Sequence, residues 1–171
     1  MVLGMSLQTY TLLHVLISLA GIASGLVVMY GFLTNQRLVT WNTVFLATTV
    51  LTSVTGFLFP FNGMTPAIKL GIISLVVLAV ALVARYRLQP AWRKTYAISA
   101  SAALYFNVFV LVVQSFEKVP ALNALAPTQK EPPFAIAQIA VLVVFVVLTV
   151  LAVRKFHGEP AAATKSTPKA A

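Results

Sequence analysis

The chain has 171 residues, of which 60% are hydrophobic and only 9% charged, and its mean hydropathy is +0.94. Soluble domains carry about 45–50% apolar and about 25% charged residues, so a soluble fold is excluded for want of polar residues to cover its surface. The net charge of +9 does not mark a nucleic-acid binder, because the basic residues sit at the ends of apolar runs and not among interleaved aromatics.

A helix needs about 20 mostly apolar residues to span a bilayer, and five stretches qualify. The first covers about residues 10–33. No Lys or Arg precedes Arg37, so it lacks the basic start of a cleaved signal and reads as a retained helix. Thr34-Asn35-Gln36-Arg37 closes it. The second covers 41–59 and stops at Pro60, with Phe61-Asn62-Gly63 as a tight turn. The third, 66–85, opens with Thr65 as N-cap and Pro66 at the first helical position. The most basic loop, Arg85 to Lys94, leads to the fourth, 95–116. In the next loop, Val119, Leu122 and Leu125/Ala126 have the spacing of a short interfacial helix. It reads equally as a plain connector, a lid or a docking surface. Pro132-Pro133 then opens the fifth helix, 134–153. The predicted fold is all-α: a five-helix transmembrane bundle over 1–156, followed by a polar, Pro-containing tail, 157–171, with the composition of a disordered segment.

Basic residues orient such a bundle, because short cytoplasmic loops carry the excess of Lys and Arg. With the N-terminus outside and the C-terminus inside, nine of the twelve basic residues are cytoplasmic, leaving Lys69, Lys118 and Lys130 outside. Trp41 and Trp92 then fall at the inner interface, where belt aromatics are expected.

Lipid supplies no hydrophobic drive between helices, so small and polar residues mark where they touch. The first helix carries His14, Ser18, Gly21 and Gly25 on one face. The second carries Thr48, Thr52 and Thr55, with Thr49, Ser53 and Gly56 alongside; the fourth carries Ala100, Ala103, Asn107 and Gln114. Gly21, Gly25, Thr48 and Thr52 read as packing positions.

At 1.5 Å per residue, His14 lies about 6 Å inside the outer end of its helix, Gln114 about 3 Å, Gln138 about 6 Å and Asn107 about 13 Å. With Thr55 at similar depth and Glu117 and Glu131 just above, these residues form a candidate polar layer under the outer surface. His14 is the one ionisable residue inside a span, and such residues are functional candidates by default. Three roles are open. Paired with Glu117 it would exchange a proton near neutral pH; flanked by Gln114 and Gln138 it would hydrogen-bond a quinone, sterol or lipid headgroup; or it simply ties helices together.

Other chemistries lack their residues. His157, the only other histidine, lies at the opposite end, so bis-His haem ligation and a metal cluster have no ligands. No phosphate-binding glycine loop is present. With no cysteine and three carboxylates in the whole chain, a nucleophile–base triad is not expected. No cofactor is expected.

The segments LYFNVFVLVVQSFEKVPALNALAPTQKEPPF and GFLFPFNGMTPAIKLGIISL resemble a family of small uncharacterised bacterial inner-membrane proteins, over most of residues 10–153. The resemblance implies a bacterial cytoplasmic membrane and a multi-helix bundle, and no activity or site residues. The expected function is non-enzymatic: an accessory subunit, or a binder of a lipid or small lipophilic molecule with a polar pocket in the outer leaflet. The alternatives are a small transporter or proton-linked carrier and a quinone-linked redox subunit. The partners expected are the bilayer, an apolar ligand such as a lipid or quinone, and a second copy or another membrane subunit. Neutralising Arg85, Arg87, Arg93 and Lys94 together is predicted to disturb insertion. The readout is reduced labelling of Lys118 and Lys130 by an impermeant amine reagent applied outside; unchanged labelling contradicts the orientation.

Overall fold

The computed structural model describes residues 2–60, 63, 66–86 and 92–157. The expected cap Thr65, the turn residues Phe61 and Asn62, loop residues 87–91 and the tail from 158 lie outside them. Among the described residues there are six helices: α1 Leu7–Leu33, α2 Val39–Phe57, α3 Pro66–Tyr86, α4 Arg93–Lys118, α5 Pro120–Leu125 and α6 Pro132–Lys155. Four of these, α1, α3, α4 and α6, are long and apolar enough to cross a membrane. α2 falls outside that set because Asn42, Ser53 and its threonines dilute its hydropathy.

The helix ends follow from local chemistry. α1 begins three residues before the expected start, because the Ser6 hydroxyl accepts the Thr9 N–H at 3.1 Å and caps the first turn. It closes on Asn35, whose φ of 57° lets Gln36 N–H reach the Gly31 carbonyl at 2.7 Å and Asn35 N–H reach that of Phe32 at 3.4 Å. This pattern satisfies carbonyls orphaned by the helix end, and Asn tolerates the left-handed conformation it needs. α2 ends two residues before the expected stop, since Pro60 disfavours helical backbone at Phe59. The short helix expected in this loop is present as α5, started by Pro120 at its first position. It folds back on α4, and the Asn123 side chain donates to the Phe116 carbonyl at 3.1 Å.

Side-chain pairings give the topology. His14 meets Thr55, and Gly25 faces Phe45, so α1 and α2 are antiparallel. Ser53 with Ser74, and Arg85 with Thr43, set α3 antiparallel to α2. Phe116–Phe134 and Tyr105–Phe145 ring contacts set α6 antiparallel to α4. α4 touches all five of the other helices. It can do so because Ala97, Ala100 and Ala103, each buried, let its neighbours approach closely. Around it pack Val28, Phe32, Phe45, Leu78 and Phe145.

Gly25 is the tightest point of the α1–α2–α4 junction. A Cβ there would lie 2.5 Å from Leu104 Cδ1 and 2.9 Å from the Phe45 ring, whereas one on Gly21 would meet Thr48 Oγ1 at 3.3 Å. Gly25→Ala is therefore expected to cost about 1–3 kcal/mol by overpacking, and Gly21→Ala distinctly less. Thermal unfolding in detergent checks this; equal losses would contradict the junction geometry.

Candidate functional site

His14 sits on α1, half-buried against the last turns of α2. Its Nδ1 is 2.8 Å from Thr55 Oγ1. The Thr55 hydroxyl lies 2.6 Å from the Leu51 carbonyl, which can only accept, so the single hydroxyl hydrogen points there. Thr55 Oγ1 is therefore the acceptor toward the ring, and Nδ1 carries the hydrogen. In the neutral imidazole this leaves Nε2 as a lone-pair acceptor. Nε2 has no protein partner among the described residues and is not sealed off.

The surroundings of the ring are aromatic and apolar. Phe59 stands edge-to-face against His14 at 5.2 Å between centroids, and against Tyr10 at 5.0 Å. Tyr10 is fully buried and its hydroxyl donates to the Thr55 carbonyl at 2.7 Å. The same threonine thus receives two donors from successive turns of α1. Gly56 keeps the space beside the ring clear: a Cβ there would lie 3.7 Å from His14 Cε1.

The expected polar layer does not form a single cluster. With α1 beginning at Leu7, His14 lies about 10 Å along it and not about 6 Å. Asn107 is buried deeper; its amide donates to Thr49 Oγ1 at 3.3 Å, next to Gly21, where α1, α2 and α4 meet. Gln138 joins α6 to α4 by donating to the Phe109 carbonyl at 3.3 Å, and its buried Oε1 has no partner. Gln114 is exposed on α4 with no hydrogen bond among the described residues. Glu117 is exposed too, and its neighbour Lys118 lies 3.8 Å away in a pair worth about 0–1 kcal/mol. Neither Gln114 nor Glu117 is brought to His14.

The packing threonines divide similarly. Thr48 lies against Gly21 with its hydroxyl donating to the Val44 carbonyl at 2.7 Å. Thr49 and Ser53, on the adjacent stripe, are the buried ones, and Thr52 Oγ1 is buried without a partner. Sequence reading also missed Tyr10. The available signal was its place one turn before His14 on the same face.

A further polar contact lies farther along the α2–α4 seam, where the Tyr96 hydroxyl donates to Asn42 Oδ1. Between it and Thr49–Asn107 stand Phe45, Leu46 and Leu104, at 1%, 3% and 1% exposure, so apolar packing separates the two contacts.

No protein-family model, curated protein or solved structure matches this chain.

Glu131 serves the loop before α6. Its carboxylate accepts from the Thr128 hydroxyl at 2.8 Å and from the Lys130 N–H at 3.0 Å. The Thr128 hydroxyl bond, helped by backbone N–H groups, holds the carboxyl below its ordinary value of 4.5. A depressed carboxyl contributes stability that is complete above the ordinary value and lost as pH falls through the lower folded value. Exchange protection of the Thr128 and Lys130 amides is thus expected to hold from neutral pH down to mild acid and disappear below it. Glu131→Gln should lack that acid transition.

Proposed function

We propose that the protein is a non-enzymatic, multi-pass membrane protein that binds a small lipophilic molecule through a hydroxyl hydrogen-bonded to His14 Nε2. The observation that carries this reading is the division of labour on the imidazole. Nδ1 is committed to Thr55, while Nε2 is an accessible acceptor in an apolar, aromatic setting. A hydroxyl-bearing ligand such as a quinol, a sterol or a lipid headgroup has the complementary hydrogen and an apolar body suited to the partly exposed Phe59. The proton-linked alternative needed a carboxylate partner, and Glu117 is elsewhere. A carrier needs a polar route along the bundle, and Phe45 and Leu104 put apolar packing between Asn42 and Thr49.

The same reading takes α2 as a fifth span, with its threonine hydroxyls satisfied by their own helix, and places the N-terminus outside and the C-terminus inside. The membrane is then the bacterial inner membrane implied by the family resemblance, and the His14 end faces outward. An accessory role, with another subunit or a second copy supplying the rest of the pocket wall, fits within this proposal.

Native mass spectrometry of protein extracted gently from its own membrane tests it. The wild type is expected to retain a lipophilic molecule, and His14→Ala to weaken binding about two- to tenfold, the value of one hydrogen bond. Gly56→Leu, which fills the space beside the ring, is expected to reduce retention with the His14–Thr55 bond intact. Bare wild-type protein, or equal retention in all three, would leave His14 as a tie between α1 and α2.

A further inference from the structure

The opposite end of the bundle holds a separate feature. α2 and α3 are in contact near the His14 end, where Ser53 meets Ser74 and Phe57 covers Gly71. Toward Arg85 a half-open groove of about 210 Å³ lies between them. Leu46, Ala47, Val50 and Leu82 make its walls, and Thr43 and Arg85 stand at one end. Sites that enclose a whole drug-sized ligand occupy roughly 300–1,000 Å³, so this groove has room for only a segment of one. An apolar, laterally open groove of that size suits part of an acyl chain.

Its charged end is polar in one sense only. Arg85 Nη2 donates to Thr43 Oγ1 at 3.0 Å and to the Val39 carbonyl at 3.3 Å, and the Tyr96 hydroxyl lies beside the guanidinium. A guanidinium has five N–H donors, so these neighbours leave it with donors to spare. No carboxylate pairs with it among the described residues; Glu117 and Glu131 are at the far end of the bundle. Arg37, Arg93, Lys94, Arg154 and Lys155 stand at the ends of α1, α4 and α6 on the same side, so the surrounding field is positive. Tyr86, 83% exposed, adds an amphipathic ring at the rim of the groove.

We infer that the α2–α3 groove holds an acyl chain of an anionic phospholipid whose phosphate sits on the Arg85 guanidinium. This inference is independent of the His14 reading, since the two sites share no residue and lie at opposite ends of the bundle. Arg supplies planar paired donors that match phosphate oxygens, and the apolar walls replace lipid contacts along the chain. A zwitterionic lipid offers the same chain without the net charge that the basic end calls for.

The test uses the full-length protein in native mass spectrometry with phosphatidylglycerol or phosphatidylcholine of identical acyl chains. One bound phosphatidylglycerol is expected to be retained about fivefold over phosphatidylcholine, the factor one basic side chain provides at a membrane surface. Arg85→Gln should abolish that preference. Ala47→Trp, placed on an exposed position of α2 at the groove wall, should remove the retained lipid with the charge intact. Glycerophosphate without acyl chains should not compete. Equal retention of the two lipids, a preference that survives Ala47→Trp, or competition by glycerophosphate each overturns the inference. A dimer that Ala47→Trp dissociates would assign the groove to a second copy instead and overturn it too. Should Arg85→Gln fail to fold, Ala47→Trp decides alone, and its outcome does not depend on what His14→Ala does to a ligand at the other end.

Discussion

In an apolar surrounding, a polar group without an internal partner costs several kcal/mol, and this constraint shapes nearly every polar side chain in the bundle. Ser18, Ser24, Thr48, Thr55, Ser101 and Thr149 all turn their hydroxyls back to the carbonyl four residues earlier, at 2.6–2.7 Å. Once satisfied within their own helices, they are free to act as small packing residues. Apart from the Ser53–Ser74 contact, the groups that reach across are mostly ones that cannot bond back in this way. Asn107, Tyr96, Gln138, Tyr10 and His14 each cross to another helix, and together they fix how α1, α2, α4 and α6 are set against one another.

The junction around Gly21 and Gly25 shows how steric fit and this polar economy combine. The glycines let α1 approach close enough for Phe45 and Leu104 to fill the space a side chain would occupy, and that approach brings Thr49 and Asn107 into hydrogen-bonding range. The hydrogen bond is modest, since such bonds between membrane helices average about 0.6 kcal/mol. Its effect is on register. A one-turn slip of α1 against α2 would separate His14 from Thr55, and a slip of α4 against α2 would separate Asn107 from Thr49.

The two ends of the bundle then differ in kind. At the His14 end a single imidazole offers one acceptor among aromatic rings, while the exposed carboxylates are spent on a neighbouring lysine and on a loop turn. At the Arg85 end, guanidinium and ammonium groups accumulate with no described carboxylate to answer them. The first arrangement is suited to a neutral hydroxyl compound, the second to an anion. α2 reaches both ends with different stretches of the same helix, Thr55–Gly56 at one and Thr43–Val50 at the other.

By itself the sequence determined that the chain is helical and membrane-type, roughly where the long helices run, that a short helix precedes α6, and that His14, Gly21, Gly25 and Asn107 deserved attention. All of these are local or one-dimensional properties: apolar run length, proline position, and the spacing of small and polar residues on one helix face. The partners were decided only by tertiary structure. Helical periodicity says which residues share a face, not which face of which neighbour they meet. Equal depth therefore grouped His14 with Thr55, Gln114 and Glu117, whereas packing kept Thr55 beside the ring, left the other two on the surface and brought in Tyr10 and Phe59. The pairing of Arg85 with Thr43 and the groove beside it were likewise invisible in the chain. They depend on how far α3 stands from α2, a distance set by the side chains of three helices at once.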